Sequence, residues 1–446
     1  MPPAPPTALS AACAMLWQLS PPAPGELFKV PAFAQLRHAC ESHYDNAGWD
    51  QSLNFALYYA LRSLGLPCLG DASLAAPSPE AAAQSIHQAF QAKAITWIHL
   101  CPLNLASPLP PLKFGPAELR QFSKEELGPL FGWDRLLRHY PSTLPSLSDL
   151  AQFQWLVVHE TRPTEPTAAA RALPALEHLL SAPDPARIDP ARIDPHASRL
   201  PAAVERALFF LLLAPWEDWS DMPGIDWRGF TVPWVYSRCD DLFVQPPLPP
   251  SARNLSWEPK FAVDRYGEEV EWEAPVELPL RDEASDLPSI LSDTAWALLK
   301  QALSSPLFET PVAHFLVRAY LSDGIDEFLA HLTLLEAALG TVRDHQPKPK
   351  TDPHKSLKAT SRMAARVSAL LGSSNDGTTY RNLFDLRSAF IHGRPLQPIS
   401  VEDRIAARRL ARRVVQELVG ATTSVQAMGT RDAFLDALLD KGTSLI

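Results

Sequence analysis

Arg387 and His392 are the residues whose types and spacing best match a defined chemistry. Cleavage of RNA by its own 2′-hydroxyl has three requirements. The 2′-OH must lose a proton, the charge on the phosphorane must be stabilised, and the leaving 5′-oxygen must gain a proton. A histidine exchanges protons near neutral pH. An arginine stays charged and offers a planar fork that suits phosphate oxygens. The pair therefore fits metal-free phosphodiester cleavage, with Arg387 on the phosphate and His392 on the protons. Two further residues support it. Glu336 lies beside the apolar stripe Ile325, Phe328, Leu332, Leu335 and Leu339, placed to orient Arg387 through a bidentate pair. Ser388 directly follows the arginine.

The element that must position them is Tyr380 to Leu396, YRNLFDLRSAFIHGRPL. At steps of about 100° per residue, Leu383, Phe384, Leu386, Phe390 and Ile391 form one broad apolar face. Arg387 falls near the middle of that face, and an arginine there needs a partner. Gly393 and Pro395 are stop signals. They put His392 at the helix C-terminus, where exposed carbonyls favour positive charge. Residues five apart on a regular helix point about 140° from each other. Arg387 and His392 can meet only if the helix unwinds at His392 or if two protomers share a site. The plainer alternative is packing, with Arg387 paired to a buried acid and His392 capping the helix.

Arg-x4-His followed by Gly, together with IDEFLAHLTLLEAALG (Ile325 to Gly340) and SRMAARVSALLG (Ser361 to Gly372), resembles the HEPN superfamily, closest to its ApeA-like branch. The resemblance covers roughly the last third of the chain. It implies a helical bundle and a metal-independent endoribonuclease that works as a homodimer, with two Arg/His pairs facing each other. It also implies anti-phage defence, with RNA as substrate and a phage-derived or protein trigger. At the position of Ser388 many active members carry Asn, Asp or His. The alternative function is a catalytically inactive HEPN-like scaffold for dimerisation or protein binding.

Charge is distributed unevenly. The chain carries −10 overall, but residues 341–415 hold 15 Lys/Arg and 6 Asp/Glu, a net of +9, leaving −19 elsewhere. Such asymmetry suggests a local polyanion site. Arg404, Arg408 and Arg412 recur at i, i+4 and are candidates for tracking an RNA backbone, with Arg409 and Arg413 beside them. The alternative is a face paired with acids of the N-terminal body.

Other chemistries find less support. His38-x-Cys40-x2-His43, with Cys68 or His99-x-Cys101, fits no closed four-ligand zinc pattern. No metal site and no cofactor are called for, and no HExxH, GxSxG, P-loop or GxGxxG occurs. Five scattered cysteines suit a reducing compartment. The N-terminus has no Lys or Arg before Lys29, unlike a signal peptide, and no apolar run approaches a membrane span of roughly 18 residues. A cytoplasmic protein without membrane contact is the expectation.

The expected fold class is α+β: a mixed α/β N-terminal body followed by an α-helical HEPN-like bundle. The 45 prolines, about twice the usual share of roughly 5%, argue for short elements. Residues 1–30 are read as a flexible lead-in, 31–243 as the sensor or regulatory body, 244–286 as a proline-rich connection and 287–446 as the helical domain. Within the body, Gln51 to Leu64 and the segment opened by Ser78-Pro79 read as helices. Ser123 to Glu126 forms a capping box. Ile95 to Cys101 and Phe153 to His159 read as strands. Val204 to Ala214 is buried helix or strand, which periodicity alone cannot decide. The tandem DPARI repeat between Pro183 and Pro195 reads as a surface loop.

Overall fold

The computed structural model describes residues 3–23, 25–48, 50–69, 75–173, 200–347, 349, 351–392, 398–422, 425 and 428–445. The DPARI repeat lies outside them. Helix accounts for 54% and strand for 14%, so the protein is α+β. In chain order the strands are β1 (Ala94–Leu103), β2 (Leu105–Ala106), β3 (Leu112–Phe114), β4 (Ala117–Gln121), β5 (Gln154–Pro163), β6 (Tyr236–Cys239), β7 (Trp257–Val263), β8 (Glu269–Pro275) and β9 (Glu277–Leu278).

Two compact units interleave along the sequence. The first comprises Met1–Pro102, Gln121–Arg199 and Val232–Ala274; the second comprises Leu103–Arg120, Leu200–Thr231 and Pro275–Ile446. This departs from the expected boundaries at 243 and 286. The composition change near Leu287 marks where helices become continuous, not where the second unit starts. That unit also draws in the buried segment Leu208 to Leu211 and the hairpin β3–β4.

The first unit contains α1 (Thr7–Trp17), α2 (Pro31–His43), α3 (Asp50–Leu64), α4 (Pro79–Gln91), α5 (Lys124–Phe131), α6 (Trp133–His139), α7 (Leu147–Leu150) and α8 (Ala168–Ala172). The expected flexible lead-in is in part helix. Leu9, Cys13 and Leu16 recur at i, i+4, i+7 and are fully buried, while Pro6 stands at the N-cap, before the helix needs its N–H groups. Ser78 caps α4 and Ser123 caps α5, each accepting from a backbone N–H three residues on. β1 lies between β5 and β6. Leu100, Trp155, Val157 and Tyr236 pack against Leu127, Phe131 and Leu136 of the neighbouring helices.

The second unit contains α9 (Ala202–Leu211), α10 (Trp216–Trp219), α11 (Leu287–Ile290), α12 (Asp293–Leu303), α13 (Val312–Tyr320), α14 (Gly324–Leu339), α15 (Ala359–Leu371), α16 (Ser374–Ile391), α17 (Val401–Gly420) and α18 (Arg431–Gly442). The ambiguous run at Val204 is helical. Ser400 opens α17 with a capping box to Asp403. Gly420 is the last residue of α17, and Ala421 caps it. α15 sits between α16 and α18 and approaches both closely. A Cβ on Gly377 of α16 would lie 2.1 Å from Ser368 Oγ and 2.7 Å from the Ala364 carbonyl of α15. On Gly442 of α18 it would lie 1.9 Å from the Ala365 carbonyl.

The sign of Gly377→Ala tests this packing. Helix propensity alone favours alanine by about 1 kcal/mol. Overpacking costs about 1–3 kcal/mol, and the obstacles are the buried Ser368 hydroxyl and the Ala364 backbone carbonyl. Net destabilisation in urea melts is expected; a stabilised variant would show that the two helices have room to part.

Candidate active site

α16 carries Arg387, Ser388 and His392 near its C-terminal end. Its N-terminal half is fixed. Gly377, Tyr380 and Leu383 are buried, and Asp376 accepts two hydrogen bonds from Arg413 of α17, at 2.7 and 3.0 Å. The C-terminal half is different. Leu386 and Phe390 are half-buried and Ile391 is 54% exposed. The helix is therefore anchored at one end and presents the other.

Arg387 donates through Nη1 to Glu336 Oε1 at 2.6 Å. This is one bond, not the expected bidentate pair. The guanidinium carbon also lies 6.0 Å from the Phe384 ring centroid. Among the described residues no acceptor meets Nε or Nη2, so most of the fork remains open. The side chains are 24% and 34% exposed. A pair this exposed contributes only about 0–1 kcal/mol to stability, so its main consequence is orientation. Tyr380 lies alongside. Burial pushes its phenol pKa up, Glu336 adds to the rise and Arg387 opposes it.

Glu336 stands in the last turn of α14, where carbonyls lack helical partners. Three side chains meet them. Arg431 Nη2 donates to the carbonyls of Ala337, Ala338 and Gly340 at 2.8–3.1 Å. Arg366 Nη1 donates to Leu339 at 3.0 Å, and Thr310 Oγ1 to Ala337 at 2.8 Å. Two guanidinium groups at a helix C-terminus also complement its dipole. Nothing in the sequence motif pointed to Arg366 or Arg431. The available signal was Arg366 at i+4 from Arg362 on an otherwise apolar helix face.

His392 is exposed and follows the last residue of α16. Its N–H still bonds the Ser388 carbonyl at 3.1 Å. On a regular helix positions 387 and 392 face about 140° apart. The helix ends at Ile391, and His392 is its C-cap with non-helical backbone angles, φ −90° and ψ 11°. Gly393 and Pro395 lie outside the described residues.

The arginine cluster is corrected. Arg408 and Arg412 are buried and neutralised, so they cannot track an RNA backbone. Arg408 bonds both carboxylate oxygens of Glu327 and, through Nη1, the Pro223 carbonyl at 2.8 Å. Burial works against the Glu327 carboxylate, but bonds from His331 and Arg408 hold its pKa below the usual range. Arg412 donates to Glu217 at 2.7 Å and Asp218 at 3.1 Å, and Arg409 donates to Asp218 at 2.6 Å. Arg404 is half-buried and has no ion pair among the described residues. The net charge of 341–415 also loses its meaning. The acids for Arg387, Arg408, Arg409 and Arg412 all lie outside that window. Glu217 and Asp218 are the counter-charge of Arg409 and Arg412, between Trp216 and Trp219, which lie in the core.

The His/Cys segments hold nothing comparable. All five cysteines are buried thiols. Burial pushes Cys13 up to about 12 and raises Cys40 and Cys101 as well, which opposes the thiolate that zinc requires. No group of three or more His, Cys, Asp or Glu is placed to hold a metal among the described residues. His99 joins Ser237 (2.8 Å) to Glu160 (3.3 Å), an order resembling a hydrolase triad. These are cross-strand neighbours, however, with His99 directly opposite Ser237, its ring is 1% exposed, and Arg162 holds Glu160 at 2.6 Å. Burial lowers the affinity of His99 for a proton, with Glu160 opposing. The arrangement is a buried polar ladder. No helix among the described residues is long and apolar enough to cross a membrane.

No family model, curated protein or solved structure matches the chain.

Proposed function

We propose that this protein is a metal-independent HEPN-type endoribonuclease acting in anti-phage defence in the cytoplasm. The observation that carries the reading is the exposed end of α16. There Arg387 keeps most of its fork open beside Glu336 among the described residues, and His392 is exposed about one turn further on. The backbone is helical as far as Ile391, and on a regular helix positions 387 and 392 face about 140° apart, which favours a site shared between two copies. A homodimer supplies it, with Arg387 of one copy and His392 of the other on a shared RNA. Leu386, Phe390 and Ile391 offer an apolar strip to such a partner.

The proposed step is internal transfer. One histidine takes the 2′-OH proton as the O2′–P bond forms. Arg387 neutralises the phosphorane oxygens. The P–O5′ bond breaks, and the same histidine returns that proton to the 5′-oxygen. The products are a 2′,3′-cyclic phosphate and a 5′-hydroxyl. No cofactor enters. Arg404 remains the one candidate for a backbone phosphate from the original three. A phage-derived or protein trigger would act on this site, so cleavage of RNA in EDTA is to be measured alongside growth with and without phage. Cyclic-phosphate ends in EDTA support the reading; no cleavage in either setting, from a dimeric preparation, would remove it.

Glu336→Gln checks the orienting role. It keeps the shape and removes the charge. Cleavage should fall about tenfold to a hundredfold through misplacement of Arg387, with the melting temperature nearly unchanged because the pair is half exposed. A lower melting temperature with normal cleavage would make Glu336 a packing residue only.

A second reading is an inactive HEPN-like scaffold. The internal neutralisation of the α17 arginines favours it, since it leaves little cationic surface for RNA.

A further inference from the structure

β7 and β8 form a two-stranded sheet of their own in the first unit, joined by a tight turn at Asp264 to Glu268. A lone hairpin of this kind is marginal in water. This one is rooted through Trp257, whose indole N–H bonds the Ala252 carbonyl at 2.8 Å and whose ring meets Phe153 edge-on at 5.0 Å. Beyond the root the arm is exposed along both strands. Its large apolar residues are in solvent: Phe261 57%, Val263 71%, Tyr266 73% and Trp272 46% exposed. Neither outer edge pairs with a further strand among the described residues, so both offer unpaired backbone groups.

Charge on the arm is one-sided. Residues 257–275 carry six Asp/Glu and two Lys/Arg. Both cations are already engaged, Lys260 with Glu258 and Arg265 over the Tyr266 ring at 4.7 Å. Glu273 is held by Arg253, and Asp264 closes the turn through the N–H groups of Tyr266 and Glu268. The carboxylates of Glu268, Glu269 and Glu271 have no side-chain or backbone partner among the described residues. Three unopposed carboxylates therefore stand among exposed aromatic and β-branched side chains, beside free strand edges.

We infer that the β7–β8 arm is a docking site for a basic, extended segment of a partner protein. Such a segment adds as a third strand. Its Lys or Arg residues meet Glu268, Glu269 and Glu271, and its alternate apolar residues cover Phe261, Val263 or Trp272. The carboxylates exclude a nucleic acid from the same surface. The inference is independent of RNA cleavage at α16.

The test uses the full chain and three fluorescent probes: an eight-residue Lys-Val repeat, its Glu-Val counterpart, and a short single-stranded RNA. Anisotropy at about 0.1 M salt should show the Lys-Val peptide binding and the other two not. The double variant Glu269→Lys, Glu271→Lys should weaken that binding at least tenfold with unchanged circular dichroism. Trp272→Thr, which keeps a strand-forming residue, should weaken it without changing its salt dependence. The inference is overturned if the Lys-Val peptide does not bind, if RNA or the Glu-Val peptide binds as tightly, or if both variants bind like wild type.

Discussion

Arg387→Ala and His392→Ala should each lower RNA cleavage by at least about two orders of magnitude, with the dimer and the melting temperature retained. The size follows from what each group does. Removing a fixed donor from a developing oxyanion costs about 10²–10³ in rate, and losing a general acid or base costs about 10²–10⁴. Neither substitution opens a cavity. Arg387 is partly exposed with a single hydrogen bond among the described residues, and His392 is exposed. Stability effects should therefore stay near 1 kcal/mol or less. Arg387→Lys is the sharper control. It keeps the charge but loses the fork, so partial activity at best is expected. Normal cleavage by either alanine variant would return α16 to a packing role.

The second large effect lies behind the site. Arg366 is 1% exposed and bonds both oxygens of Asp344, at 2.5 and 3.1 Å, together with the carbonyls of Leu339 and Leu435. Asp344 also caps the Thr341 N–H at 2.9 Å. Asp344→Asn leaves a buried guanidinium without its counter-charge and should cost about 3–5 kcal/mol. The double change Arg366→Met, Asp344→Leu removes both charges and should recover part of the loss. The pH dependence has a definite sign. Burial alone would raise the Asp344 pKa, but the bonds and charge of Arg366 outweigh it and hold it below the ordinary carboxylate range. A depressed folded pKa gives stability that is present above about pH 4, the unfolded value, and is lost as pH falls through the folded value. The gap between wild type and Asp344→Asn should therefore be constant near neutrality and close in acid. Urea melts from pH 7 to 3 measure it; a gap that widens in acid would reverse the assignment.

How much of this was legible in the sequence depends on the range of each interaction. Local signals were readable. Ser78, Ser123 and Ser400 mark helix starts because a capping bond spans three residues. The position of Arg387 on an apolar face, with Glu336 on a neighbouring stripe, was enough to place the two together. Pairing with acids of the N-terminal body stood as the alternative for the arginine cluster, but which acids meet which arginines was not readable. Arg404, Arg408 and Arg412 look like a solvated stripe because a surface arginine and a buried, neutralised one have the same spacing. What distinguishes Arg412 is Glu217, 195 residues earlier. The same limit hid the interleaved units, since composition reports local helix content and not which segments share a core. At Thr7 to Trp17 the leading prolines concealed a readable i, i+4, i+7 pattern.

The claim on which the functional reading turns is that Arg387 of one copy works with His392 of another. Mixing the two inactive variants, Arg387→Ala and His392→Ala, under conditions that exchange subunits tests it directly. A mixed dimer holds one complete shared site and one empty one. Random exchange makes half the dimers mixed, so cleavage should return to about a quarter of wild type. If each copy uses its own pair, every site in the mixture stays broken. A mixture as inactive as its components, with mixed dimers verified, would contradict the shared site.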